Sequence, residues 1–416
     1  MDIKSQALSL RDFLSRYTRM WEDEIMNQYP EAIDYYPKDW VDLLSSLSQV
    51  ELYDIDCKKI IPKIENSGFA AFMQEAISLS DLPIIPESPL PRMEDWAYNG
   101  MKKKKRHEIE RIVPRLKKIR PHFNYVVDIG GGVGHLSRVL SLYHSIPSVS
   151  LDRDATFQEI GKKRLNKFRH PKDAAEIKFV NVTFGSDSEK EALVDVFKRE
   201  SFSLGLHTCG GLAVHLIKNT VENKTAGLLS FGCCYHRLDP QSEFPLSEFY
   251  RQKGALPLNL YSLSLATRSH AQMDFEVYKT KERVKYYRYA LHLFLMKTLN
   301  NKFFTDVGEC PVKTYWGPFS EYIRSKLKEL NLEHHYTDEE LNAFYHSAET
   351  QDQLRKMWIC NLIRWQLGRP LEVYLLLDRV LYLEESGYTV SVEQYFDEPL
   401  SPRNIGILAT RRITND

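Results

Sequence analysis

Apolar and polar positions change their period several times along this chain. Residues 5–80 repeat apolar positions at helical spacing, with Leu10, Phe13, Leu14, Tyr17 and Trp21 on one face and further runs around 40–47 and 69–76. Prolines at 83, 86, 89 and 91 follow. Each removes a backbone donor and pushes its predecessor into an extended conformation, so the stretch reads as a linker with a boundary near residue 90. From 125 to 231 short apolar runs (YVVDIG, SVSLD, IKFVNV, FSLGLH, AGLLSFG) alternate with helical stretches at 133–142, 154–168, 186–200 and 211–222. Strands this apolar, interleaved with helices, predict a parallel sheet covered on both faces. The alternation then stops. Residues 236–369 read as mostly helical, with Thr337 to Glu340 forming a capping box. After Pro370 come a helix, the strand YTVSVEQYF, a short turn and the strand IGILATRR, which predict an antiparallel hairpin. The pattern is that of an α/β protein with about seven strands, interrupted after the fifth by a helical insertion. Its parts are an N-terminal helical module and linker (1–90), a sheet domain (91–235 with 370–416) and the insertion (236–369).

The first strand runs into a glycine loop, VVDIGGGVGHL (126–136). A nucleotide-phosphate loop would end in Gly-Lys-Ser/Thr, and here Gly134 is followed by His135 and Leu136. A dinucleotide fingerprint beginning at Gly130 needs its third glycine at 135, where His135 stands. What remains is Asp-x-Gly-x-Gly-x-Gly, from Asp128 to Gly134. A carboxylate at the strand end repels a pyrophosphate and suits a cationic α-amino group. S-adenosylmethionine carries that group beside its sulfonium, and its own carboxylate fits against backbone N–H groups at the helix start. Asp152 ends the second strand 22 residues after Gly130, where a side chain accepts hydrogen bonds from a ribose diol. Asp154 reads as the N-cap of the helix beginning at Ala155. The predicted cofactor contacts are Asp128, Gly130, Gly131, Gly132, Gly134, His135, Leu136 and Asp152, joined by His207, Thr208 and Cys209.

Strands four and five end in HTCGG (207–211) and GCCYH (232–236), and in a doubly wound sheet such ends converge on one crevice. Methyl transfer is an in-line displacement, and an amine or imidazole acceptor must lose a proton. His207 either takes that proton or hydrogen-bonds the backbone and shapes the pocket. Tyr235 either lies over the acceptor as a wall and donor or simply packs. Cys233 and Cys234 read as small residues beneath the cofactor. The cysteines and histidines here lack the Cys-x-x-Cys spacing of common zinc sites, so no metal is expected.

The run MKKKKRHEIERI (101–112) has no break before the apolar stripe Ile109, Ile112, Leu116. Continued back one turn, that stripe reaches Lys105, with Lys103, Lys104 and His107 beside it. Lys105 is expected to point toward the pocket mouth. Lys104, Lys105, His107, Cys233, Cys234 and Tyr235 are the predicted substrate contacts. A second basic stretch, 279–297, interleaves Lys279, Lys281, Arg283, Lys285 and Arg288 with tyrosines. It is either a phosphate- and base-binding surface or an amphipathic helix with Leu291, Phe294 and Leu295 in the core. Met273, Trp316, Trp358 and Trp365 are expected in the core of the insertion.

Charge adds one constraint: 56 Lys and Arg balance 56 Asp and Glu, so no global field holds the chain on a polyanion, and nucleic-acid contact must be local. Six cysteines without framework spacing imply free thiols in a reducing compartment. The N-terminus has no signal-like apolar core and no apolar run has membrane length, which predicts a soluble cytoplasmic or nuclear protein with no membrane partner.

The motifs GMKKKKRHEI, VVDIGGGVGHLSR, GLHTCGGLA, GCCYH and LSPRNIGILA together resemble the methyltransferase-like protein 25 family, including the relative labelled ribosomal RNA adenine dimethylase domain-containing protein. The resemblance covers residues 90–416. It implies a class I, Rossmann-like methyltransferase fold using S-adenosylmethionine at the residues above. The expected function is methylation of a macromolecule, protein or RNA, with a further partner at the N-terminal helical module. The opposing expectation is a catalytically silent RNA- or ribosome-associated protein that retains the fold. Two departures bear on this: Lys102-Lys103 stand where many members have Ser-Pro, and Gly211 stands where many have an acid.

Overall fold

The computed structural model describes residues 2–60, 62–88, 93, 95–167, 171–185, 193–268, 273–299, 305 and 307–412. Contacts gather the chain into two compact units: residues 1–13, 79–270 and 370–416 form one, and 14–78 with 271–369 form the other.

The first unit is built on a seven-stranded sheet in the order β3-β2-β1-β4-β5-β7-β6. The strands are β1 (Tyr125–Ile129), β2 (Ser148–Asp152), β3 (Ile177–Asn181), β4 (Ser201–Cys209), β5 (Gly227–Cys233), β6 (Tyr388–Gln394) and β7 (Ile405–Arg411). β1 to β5 pair in parallel, and β7 runs antiparallel to both β5 and β6. This is the Rossmann-like sheet with a terminal hairpin expected of a class I methyltransferase. The order reverses beside β1, so the ends of β1 and β4 flank the crevice where such sheets hold ligands.

Helices His135–His144, Ala155–Leu165 and Gly211–Glu222 follow β1, β2 and β4. Asp154 caps the second of them, accepting from the amides of Thr156 (2.8 Å) and Phe157 (3.2 Å). Of the helix expected at 186–200, Leu193 is helical, 194–200 are turns and irregular backbone, and 186–192 lie outside the described residues. The lysine-rich helix, Lys103–Lys118, buries Ile109, Ile112, Val113 and Leu116 completely against Val126, Phe202 and Leu204. Each such side chain contributes roughly 1.5–3 kcal/mol. A four-residue apolar stripe therefore fixes where this helix sits on the sheet, and with it the charged residues at its start.

Part of the proline-rich stretch does more than link. Ile84 forms a parallel bridge with Gln394, the amide of Gln394 donates to Pro83 O at 2.7 Å, and the amide of Ile85 donates to Gln394 O at 3.0 Å. Arg111 from the lysine-rich helix clasps both segments, donating to Ile85 O and Tyr395 O. A composition-based reading misses this because three residues at a sheet edge suffice to satisfy the strand, and prolines on either side do not prevent it.

The second unit is helical. Ser48 and Thr337 head helices with capping boxes, the latter as expected. Helix Phe275–Leu299 buries Tyr287, Tyr289, Leu291, Phe294 and Leu295, so two of the tyrosines in the basic stretch are core residues rather than stacking surfaces. Trp358 is fully buried, but Trp316 is 55% exposed, with the Arg283 guanidinium 4.9 Å from its ring centroid. Met273 and Trp365 are half-buried. No described helix is long and apolar enough to cross a membrane.

Candidate active site

The glycine loop is closely fitted to the side chains beneath it. A Cβ at Gly131 would collide with Ser150 Oγ and lie 3.0 Å from Asp128 Oδ2. Gly134, at φ 70°, begins the following helix in the left-handed region, and a Cβ there would press on the Phe179 ring at 2.8 Å. Asp128 is 3% exposed, and Ser137 donates to its Oδ2 at 2.9 Å. Burial pushes its carboxyl up to about 6, against the opposing pull of Ser137 and the Lys105 charge. Asp152 holds the far side of the loop, accepting from the amides of Gly132 (2.8 Å) and Asp154 (2.9 Å). These bonds leave lone pairs on both of its oxygens. His135 is held neutral, lowered to about 4 by burial and by Arg138, Arg164 and Lys105. Leu136 turns into the apolar core. The hydroxyls of Ser150 and Thr208 and the Nδ1 of His135 are buried without a partner among the described residues.

On the neighbouring strand, β4 carries a bulge: Leu206 pairs with Phe231, Thr208 pairs with Gly232, and His207 between them takes φ 64°. A bulge re-aims the side chain it releases. His207 Nε2 lies 2.7 Å from Oε1 of Glu108, a carboxylate of zero exposure on the lysine-rich helix. Ser401, in the loop between β6 and β7, donates to the same oxygen at 2.8 Å. Lys105 Nζ stands 3.2 Å from Oε2, and Lys104 Nζ 3.7 Å from Oε1. Burial opposes ionisation of Glu108, but His207, Lys105 and Ser401 outweigh it and hold the carboxyl down at about 2. With Nε2–H donated to Glu108, the imidazole presents Nδ1 as its proton acceptor.

The cysteines also converge. Cys209 Sγ is 3.0 Å from Cys233 Sγ and 3.4 Å from Cys234 Sγ. The Cys233 hydrogen bond, aided by Cys234, Arg237 and His207, pulls the Cys209 thiol down and pushes Cys233 up.

Residues 104–241 match a family model described as a methyltransferase domain. By this match and by its sheet order, that part of the chain is similar to a methyltransferase domain. The chain is 26% identical over 243 residues to the human protein named "Probable methyltransferase-like protein 25", covering 55% of this chain and 39% of that relative. It is 22% identical over 289 residues to the mouse protein of the same name, covering 64% and 46%. The chain thus matches less than half the length of either relative, both of which are distant.

Around the strand ends the remaining candidates separate. Tyr235 is 1% exposed, and its hydroxyl donates to Glu372 at 3.0 Å; it packs inward rather than standing over the strand ends. His107 accepts from the Asp397 amide at 3.0 Å, which ties the helix to the loop after β6. Gly211 begins the helix after β4, and a Cβ there would collide with the Glu243 carboxylate, itself held by the Asp239 amide at 2.8 Å. An acid is therefore present at this helix start, contributed from 32 residues downstream. Glu108 is the functional candidate that motif reading passed over. Its signal was positional: it precedes Ile112 and Leu116 by one and two helical turns, placing a carboxylate on the apolar stripe.

Proposed function

We propose that this chain is an S-adenosylmethionine-dependent methyltransferase acting on a macromolecular acceptor, protein or RNA. The observation that carries the reading is Asp128. It is a buried carboxylate at the end of β1, raised to about 6, and the described residues offer it the hydroxyl and backbone amide of Ser137 and no cation in contact. Burying an ionisable group without a cation is costly unless a ligand supplies one. The α-amino group of the methyl donor meets that need. The flat shelf of Gly131 and Gly132 admits a ligand close to the backbone, Asp152 has acceptor capacity for a ribose diol, and the unpartnered Ser150 and Thr208 hydroxyls offer further polar contacts.

When bound, S-adenosylmethionine supplies a methyl group made electrophilic by its sulfonium. The chain's own part is positioning and proton handling. His207, fixed by the bulge in β4 and by Glu108, receives the acceptor's proton on Nδ1. The ionised Glu108 stabilises the imidazolium that results. Lys104 and Lys105 give the mouth positive charge suited to an anionic acceptor. The helical unit of residues 14–78 and 271–369 supports a large acceptor, since a small one needs no such surface, and a cytoplasmic or nuclear site fits the free thiols.

Calorimetry with S-adenosylmethionine tests the cofactor: absence of binding at millimolar donor would remove the enzyme reading and leave a silent scaffold. Tritiated methyl transfer into cell extract, with nuclease or with protease, then selects the acceptor. Loss of label under nuclease alone means RNA, and under protease alone means protein.

A further inference from the structure

We propose that Cys209, Cys233 and Cys234 form a binding site for a thiophilic divalent cation, zinc being the natural occupant. Their three sulfurs all lie within 4.8 Å of one another, at 3.0 and 3.4 Å from the shared Cys209. Tetrahedral zinc with Zn–S bonds of about 2.3 Å spaces its sulfurs by roughly 3.8 Å. The two separations from Cys209 need to open by less than about 1 Å to meet that spacing.

The backbone assembles this group at some cost. The bulge at His207 resets the register so that Cys209 pairs directly with Cys233. Cys234 adopts φ 50°, ψ 49°, a left-handed conformation unfavourable for a residue with a Cβ, and its sulfur nevertheless joins the other two. Two strained non-glycine residues, His207 and Cys234, thus flank one trio of soft ligands. The ligands come from adjacent strand ends 24 and 25 residues apart, which is why no local Cys-x-x-Cys spacing announces them.

The donor set selects the ion. Three thiols and no carboxylate favour zinc or another soft cation over magnesium or calcium. Among the described residues no fourth histidine, cysteine or acid joins the group, which leaves a coordination position for water or an incoming soft donor. Cys233 is buried, while Cys209 and Cys234 are partly exposed and give the ion a path. Each thiol that is still protonated gives its proton to solvent as its Zn–S bond forms, so uptake releases protons at neutral pH.

The test uses the full chain, reduced and stripped with a chelator, then titrated with Co(II) as a spectroscopic stand-in for zinc. Stoichiometric uptake is expected, with sulfur-to-cobalt charge-transfer absorption in the near ultraviolet and tetrahedral bands in the red, both erased by one equivalent of zinc. Cys234→Ser, the change at a partly exposed position, should weaken uptake more than ~100-fold, beyond the ~10–100-fold cost of losing an outer-shell partner. Cys57→Ser, in the helical unit, should leave it unchanged. Absence of charge-transfer bands in the unmodified reduced chain overturns the site, as does their survival in a Cys209→Ser/Cys234→Ser double variant. The measurement needs no methyl donor, so it stands or falls apart from methyl transfer.

Discussion

Glu108 and Asp128 are buried carboxylates of one domain, each on an element that leads into the crevice, and burial raises the proton affinity of both, yet they end displaced in opposite directions. Asp128 rises to about 6 and Glu108 falls to about 2. The difference is company. Glu108 has an imidazole at 2.7 Å, a hydroxyl at 2.8 Å and an ammonium at 3.2 Å, whereas Asp128 has only the neutral hydroxyl and amide of Ser137 in contact and feels Lys105 only as a charge. A carboxylate already neutralised by its own protein is a positioning device; one left without a cation is a demand for a ligand.

Asp128→Ala should break the comparison most strongly. Losing the acid that pairs with the donor's ammonium should cost ~2–5 kcal/mol, at least ~30-fold in affinity by calorimetry. Unchanged affinity would mean that Asp128 makes no such demand. Stability against pH gives the next effect, with opposite signs at the two sites. The raised Asp128 makes the unliganded fold lose stability as pH climbs from the ordinary 3.8 through about 6, by ~3 kcal/mol. The lowered Glu108 contributes stability that is fully present above its ordinary 4.5 and is lost as pH falls toward about 2, again by ~3 kcal/mol. Chemical unfolding across pH 2–7 should show Asp128→Asn flattening the upper slope and Glu108→Gln the lower one. By the same logic, donor affinity should weaken below about pH 6, with proton release on binding seen in buffers of different ionisation enthalpy.

Glu108→Gln keeps an acceptor for His207 but removes the charge. Turnover should drop ~10–100-fold with donor affinity little changed, and the pH–rate profile should move. A parallel loss of donor affinity would show that the two acids are one site. Gly211→Asp should destabilise by ~1–3 kcal/mol through its clash with Glu243 and recover in a Glu243→Ala background, as read from urea midpoints. Lys105→Ala should be mildest, at or below ~1 kcal/mol in stability, because the ammonium is one-third exposed and Glu108 retains His207 and Ser401.

Legibility in the sequence followed the range of the interaction. The glycine loop, Asp128, Asp152 and the Asp154 cap are local features, and each lies within one strand–turn–helix passage whose period can be read directly. Glu108 meets His207 across 99 residues and Ser401 across 293, so only its place on an apolar stripe hinted at a buried partner. Trp316 misled because size suggests burial, whereas a flat ring also serves as a platform for Arg283. The prolines at 83 and 86 hid a sheet contact for a similar reason: composition records what a residue disfavours, not what its neighbour's carbonyl still accepts.

The bulge in β4 has the effect of a frameshift in space. Before it, residue 206 faces residue 231, an offset of 25; after it, residue 209 faces residue 233, an offset of 24. Had the offset of 25 continued through 207, residue 207 would face 232 and residue 208 would face 233, sending the side chain of Cys209 to the side now taken by Thr208. One extra amino acid thereby decides which chemistry the end of this strand presents.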